Sequence, residues 1–343
     1  MSFKQGVTLA LQFSVAGKTD VGLVRSANED NLKLDRENGL FIVCDGMGGH
    51  QAGEVASKEA CDIIGHCFSH LADEISGDEA LGLPARFPPG GDLLVKAIRI
   101  ANRSIYIRSR SRSDLSGMGT TVVGAVLENN LIEIAHVGDS RAYRLDDEKL
   151  VPLTTDHSWV SELQQSGQYT EEEAAQVVNR NIITRALGVR ERVETDFRAN
   201  PLKPGEIYIM CTDGLCGYVS DEDIFSVAAA GRGDVNKIVD GLIKLANERG
   251  GQDNVTVVAL RIDKLDQGTK GNEPIRPVTI SEENDEALLR ESRILESIIR
   301  LESDTEKIVA RAHRRKRSGA VRMVFVFLLL AVIAVFVYFF LLK

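Results

Sequence analysis

Zinc-type pairs of cysteine are missing from this 343-residue chain. Its five cysteines, Cys44, Cys61, Cys67, Cys211 and Cys216, form an odd set without metal-ligand spacing, which argues against a disulfide framework and fits a reducing compartment. Apolar residues surround Cys44 and Cys211, so both read as core thiols rather than nucleophiles. A basic surplus is lacking too: the net charge is −9, and that acidity excludes a nucleic-acid binder. Met1 to Ala16 shows no basic start followed by a continuous apolar segment, so no secretory leader is expected. A phosphate-cradling P-loop is also excluded. Gly17-Lys18-Thr19 imitates the end of one, but Gln12 stands where the motif needs glycine, and Asp20-Val21-Gly22 follows where it needs a helix.

What the chain does hold is an apolar run that stops at an acid and turns at once into glycines: Phe41-Ile42-Val43-Cys44-Asp45-Gly46-Met47-Gly48-Gly49-His50. Apolar residues before Asp45 predict a buried strand, and the glycines let backbone approach whatever the carboxylate holds. The pattern returns at Ile207 to Gly214 around Asp213, at Leu131 to Ser140 around Asp139, and at Gly250 to Asn254, where Asp253 leads into the strand-like Val255 to Leu260. Four acids at strand ends beside glycines point to one shared sheet edge. If they converge, their repulsion demands a divalent cation, and oxygen-only ligands favour magnesium or manganese over zinc. Arg25-Ser26-Ala27-Asn28-Glu29-Asp30-Asn31 adds an arginine fork suited to a phosphate, with Glu29 or Asp30 joining the acids.

Loose alternation predicts a first strand over Val7 to Val15, and apolar spacing predicts helices over Ala52 to Gly65 and Leu93 to Ser109. Asp73 to Gly91, with three of the eight prolines, reads as an exposed loop between them. Thr120 to Leu127 and Leu131 to Val137 form a strand pair, and Arg141 to Leu145 begins another. His136, alone on its strand, reads as packed and hydrogen-bonded. Short helices are expected on either side of Gly167, the second opened by the capping box Thr170 to Glu173.

Taken in order, Arg25 with Glu29-Asp30, Asp45 to His50, Gly117-Met118-Gly119-Thr120-Thr121, Gly138-Asp139-Ser140-Arg141, Thr184 to Gly188, Thr212-Asp213-Gly214-Leu215 and Asp253-Asn254 resemble a type 2C metal-dependent protein serine/threonine phosphatase of the bacterial kind. The likeness runs from about residue 8 to residue 263. It implies an α+β fold of two packed antiparallel sheets flanked by helix pairs, an α/β/β/α sandwich. It also implies hydrolysis of phosphoserine and phosphothreonine by a metal-activated water, without a phospho-enzyme. Carried over by position, Asp45 bridges two Mn²⁺ or Mg²⁺ ions, the Gly46 carbonyl binds one, and Glu29, Asp213 and Asp253 complete the set. Asp139 serves a looser third ion, Arg25 holds the phosphate, and residues 155–184 form a flap beside the site. Phosphorylated proteins and a cognate Ser/Thr kinase are the implied partners. Where the eukaryotic branch has a histidine after Asp-Gly, this chain has Met47, so the proton donor to the leaving oxygen stays open, with His50 near in sequence. The alternative is a catalytically weak phosphoprotein-binding or membrane scaffold protein, which would leave the complete acid set unexplained.

The tail has its own character. From Lys264 onward 14 Lys and Arg face 11 Asp and Glu, so the preceding part is the acidic one. Residues 264–281 read as a flexible linker, and 282–318 as an amphipathic helix with a basic end. Its stripe of Ile294, Ile298, Leu301, Thr305 and Ile308 fits either a dimeric coiled coil or a membrane surface. Met323 to Leu342 carries no charge, and a helix over 321–342 is long enough to span a bilayer. Arg311, Arg314, Arg315, Lys316, Arg317 and Arg322 precede it and only Lys343 follows, which predicts a single-pass protein of the cell membrane, its catalytic domain in the cytosol and its basic cluster on anionic lipids.

Overall fold

Residues 11–48, 51–76, 87–165, 182–269, 274–281 and 289–299, with 167 and 170, are described by the computed structural model. Twelve strands among them build two antiparallel sheets. In the first, the order is β1 (Gln12–Asp20), β11 (Val255–Lys264), β10 (Ile207–Cys211), β7 (Arg141–Leu145) and β8 (Leu150–Pro152). The second runs β12 (Ile275–Ile280), β9 (Thr195–Pro201), β6 (Leu131–Val137), β5 (Val122–Glu128), β3 (Leu40–Met47) and β2 (Asp30–Asp35), with β4 (Gly119–Thr120) beside the end of β3.

Period-two alternation assigns each strand two jobs. On β10, Ile207, Ile209 and Cys211 pack with Ile224, Ile238 and Leu242 of the helices, whereas Tyr208 and Met210 pack with Phe41, Val43 and Ile132 between the sheets. Those helices are α6 (Asp221–Ala230) and α7 (Val235–Glu248). Val235, Ile238, Val239, Leu242, Ile243 and Ala246 form the buried stripe of α7, at spacings of three and four, and its first turn is capped by the Asp234 carboxylate. Each large apolar side chain buried in this way contributes about 1.5–3 kcal/mol. On the outer face of the second sheet lie α1 (Gln51–His70) and α3 (Pro89–Ser111), and both expected helical stretches fall within them. A short α2 (Ala72–Ser76) lies between them, α4 (Trp159–Gln165) precedes Gly167, and α5 (Asp213–Cys216) follows β10.

Three expectations need correction. The first strand continues to Asp20, because Phe13 to Asp20 pair residue by residue with β11. The proline-rich stretch is shorter than expected: α2 occupies its start, and α3 begins at Pro89, where the missing N–H costs nothing in a first helical turn. Residues 264–281 are not all linker, since β12 pairs with β9. Its β-branched Ile275, Val278, Thr279 and Ile280 suit a pleated surface, and Pro277 falls in the register shift between Ile275 and Val278 on an edge strand, where a missing N–H is tolerated.

Among the described residues no helix is long and apolar enough to cross a membrane. The expected span over 321–342 lies outside the described residues, as do 282–288 and 300–318 of the expected amphipathic helix; residues 289–299 are helical. The second helix expected after Gly167 also lies outside them.

Candidate active site

The acids gather where strand ends of both sheets meet. Asp45 ends the apolar part of β3 and stands opposite Asp30 on β2, while Asp213 opens α5 directly after β10. Although they come from different sheets, the Asp45 and Asp213 carboxyls are close enough for each to perturb the other's ionisation. Burial pushes Asp45 well above the ordinary carboxylate range, and the charges of Asp30, Asp213 and Asp139 push it further. Burial also raises Asp213, with Asp253 adding to the effect and Arg25 opposing it. At the turn after β6, Asp139 is raised to about 7 by burial, then by Asp213 and Asp156. Its Oδ1 is shut off from solvent and accepts no hydrogen bond.

Arg25 is the cation at this rim. Its Nη2 meets Asp253 Oδ2 at 2.7 Å, and with the side chain 55% exposed most of the fork remains open. Asn254 holds the loop that carries it: the amide donates to the carbonyls of Val21 and Ala27, both at 2.9 Å, and accepts from Glu29 N at 2.8 Å. The Glu29 carbonyl accepts from Gly46 N at 3.1 Å and from Ser57 Oγ at 2.5 Å, while its carboxylate lies against Gly53 in the first turn of α1. Gly46 is a glycine for lack of room, because a Cβ there would run into the carbonyls of Gly53 and Glu29.

Of the two acids that the sequence left open, Asp30 is the sealed one. Its Oδ2 accepts from Thr256 Oγ1 at 2.7 Å and Thr212 Oγ1 at 2.9 Å, and burial raises it to about 7. Glu29, its neighbour, is half-buried at the rim.

Sequence reasoning passed over Asp156-His157, which it took only as part of the 155–184 flap. Arg141 grips Asp156 with Nε at 2.8 Å and Nη2 at 2.6 Å, a bidentate pair beneath the acids. His157 is buried and stacks on His136, with ring centres 4.7 Å apart; as expected for a packed strand histidine, His136 donates from Nε2 to the Thr155 carbonyl at 2.9 Å. His50 lies outside the described residues.

The donor set around Asp45 is all oxygen, carries an unanswered Asp139 oxygen and is crowded with like charge, which fits a hard divalent ion. Among the described residues, donors lying within 4.8 Å of one another are His136, His157 and Asp196. No three carboxylates around Asp45 draw that close among the described residues.

A family profile described as protein phosphatase 2C matches residues 24–255. The chain belongs to the protein phosphatase 2C family. It is a metal-dependent protein serine/threonine phosphatase. Listeria monocytogenes serine/threonine phosphatase stp is 35% identical over 254 residues, covering 73% of this chain and 96% of the relative. Mycobacterium tuberculosis PstP is 37% identical over 286 residues, 82% of this chain but 51% of the longer relative. Among solved protein phosphatase 2C structures, the M. tuberculosis PstP/Ppp crystal structure aligns with a TM-score of 0.63 at 35% identity, covering 74% of this chain and 99% of the other. A PstP catalytic domain solved in complex with two manganese ions aligns with a TM-score of 0.62 at 34% identity, over 74% and 99% of the two chains.

Proposed function

We propose that this phosphatase hydrolyses phosphoserine and phosphothreonine of cytosolic or membrane-proximal proteins at a centre of two Mn²⁺ or Mg²⁺ ions, held by Glu29, Asp45, the Gly46 carbonyl, Asp213 and Asp253, with Asp139 serving a looser third. The observation that carries this reading is the meeting of Asp45 and Asp213 from opposite sheets beside the unpartnered Asp139 oxygen. Bound there, the ions would supply Lewis-acid activation of a water for in-line attack on phosphorus. Arg25 turns the open side of its fork to the phosphate oxygens and orients the ester. Cys44, the thiol next to Asp45, does not compete as nucleophile: burial pushes it well above its ordinary range, which leaves it a core thiol. A non-hydrolysing phosphoprotein binder would not need every matched acid, and all are present.

The reading extends to location. The uncharged run 323–342 and the basic cluster before it support a C-terminal anchor, with the catalytic domain on the cytosolic side and the cluster on anionic lipid. A cognate Ser/Thr kinase as partner, and pairing through residues 282–318, belong to the same proposal.

The test is hydrolysis of a small aryl phosphate by the detergent-solubilised full chain with Mn²⁺. Activity that disappears with chelator and in Asp45→Asn supports the reading, and full activity in Asp45→Asn overturns it.

A further inference from the structure

Gly138 and His157 hold each other by two hydrogen bonds. Gly138 N donates to His157 Nδ1 at 3.1 Å, and His157 N donates to the Gly138 carbonyl at 3.0 Å. Because Nδ1 accepts, the imidazole proton sits on Nε2, which faces Asp196 Oδ2 at 3.3 Å. Asp196 is a steady partner: burial would raise its pKa, but hydrogen bonds from His157 and Thr279 outweigh that and hold it at about 2. Arg185 closes the far side, with Nη1 3.2 Å from Asp196 Oδ1 and 3.4 Å from His157 Nε2. Register places Asp196 on β9 opposite His136 on β6, directly under the stacked pair of rings.

This cluster is not itself a metal site. The rings of His136 and His157 are stacked with planes 20° apart, so their in-plane lone pairs run side by side instead of converging. Gly138 N–H already takes one His157 nitrogen, and a guanidinium stands beside the other.

Its position suggests a different use. Asp139 follows Gly138, and Asp156, the residue before His157, receives the bidentate grip of Arg141. Two consecutive residues therefore clasp both ends of the four-residue turn that carries Asp139. Gly138 needs its glycine there, with φ at +108° and Thr121 where a Cβ would be. From the same turn, Ser140 Oγ reaches Thr121 Oγ1 at 2.7 Å, and Thr121 exchanges hydrogen bonds with the Asp45 backbone. On its other side His157 holds the base of the 155–184 segment, since its carbonyl accepts from Thr184 N at 2.8 Å.

We infer that His157 is a positioning residue: with Asp196 fixing its tautomer, its Nδ1 holds the Gly138–Asp139 turn so that the Asp139 carboxylate faces Asp45 and Asp213, and ties that placement to the base of the flap segment. The inference rests on the reading of Asp139 as ligand of the loosest ion. A residue that orients a ligand in this way commonly changes metal affinity 10- to 100-fold when replaced.

The experiment titrates the full chain with MnCl₂ by calorimetry and follows hydrogen exchange at the Gly138 amide. In His157→Gln, whose amide reaches toward Asp196 but leaves Gly138 N–H unanswered, the weakest Mn²⁺ step should weaken about tenfold. Gly138 exchange should quicken and kcat fall, while KM for an aryl phosphate holds. His157→Asn, whose Oδ1 can stand in for Nδ1, should restore most of each. A wild-type titration in His157→Gln, or equal losses in both variants, overturns the proposal. Asp139→Asn separates the levels: if it leaves the weakest step intact, the ligand reading of Asp139 fails, whereas its loss there beside a normal His157→Gln refutes the positioning role alone. Should His157→Gln not fold, the half-buried Asp196→Asn replaces it: a weaker last step supports the role and an unchanged one overturns it.

Discussion

Thr212 of the first sheet donates its hydroxyl to Asp30 of the second at 2.9 Å, and the same Thr212 oxygen accepts from Thr256 N at 3.0 Å. One side chain thus joins the sheets directly beneath the acids. Thr212→Val keeps the volume but leaves a buried carboxylate short of a donor and a backbone N–H short of an acceptor. Urea unfolding should show a loss of about 1–3 kcal/mol. Unaltered stability would mean that the bond to Thr256 suffices for Asp30.

Arg25→Ala should raise KM for a phosphopeptide more than it lowers kcat, because the fork grips phosphate oxygens in ground and transition states alike. Arg25→Lys should recover part of the loss, lacking the bidentate geometry. If steady-state kinetics of Arg25→Ala match wild type, the arginine is only the ion-pair partner of Asp253.

Asp213→Asn removes one charge and almost no volume from the crowded rim. Mn²⁺-dependent hydrolysis should vanish, yet in chelator the variant should melt at a higher temperature than wild type, since the repulsion with Asp45 and Asp253 is relieved. A lower melting temperature in chelator would show that hydrogen bonding, not repulsion, dominates there.

Glu133, fully buried on β6, lies beside Gly90 and Gly91 at the start of α3. Burial, with Glu128 adding to it, lifts its pKa from 4.5 to about 8. The unfolded chain therefore gives up this proton first as pH rises. Stability is full below about 4.5, falls through the interval up to about 8 and levels off above it. For one proton the slope approaches about 1.4 kcal/mol per pH unit. Glu133→Gln should flatten that part of the profile and melt higher than wild type at pH 8, as read from thermal melts across pH 5–9.

Protease added outside intact cells should spare the catalytic domain if the basic cluster keeps it in the cytosol. Digestion of that domain would reverse the proposed orientation.

Asp45, Asp139 and Asp213 were legible because each sits where an apolar run breaks at Asp beside Gly, a signal written over about ten contiguous residues. The α/β/β/α layering was legible for the same reason, since period two and period 3.6 are local. What stayed hidden is settled by distant partners. Glu29 and Asp30 are neighbours in the chain, and only the reach of Thr212 and Thr256 decides which of them is sealed. Asn254 was visible beside Asp253, but its hold on the Val21 and Ala27 carbonyls spans more than 220 residues. The strand β12 was missed because two glycines and two prolines in residues 264–281 look like linker, and an edge strand with one free side needs little alternation.

That edge strand changes the length of the leash. With Ile275–Ile280 stitched to β9 and Ser292 bonded to Arg103, the chain is still tied to the catalytic domain well beyond Lys264. At up to about 3.5 Å per extended residue, the stretch from Lys264 to Ile280 would otherwise add roughly 60 Å of reach. In a chain held at its C-terminal end, the phosphatase would sweep a correspondingly thinner shell above the bilayer, favouring targets in that shell by local concentration and leaving those farther out beyond its range.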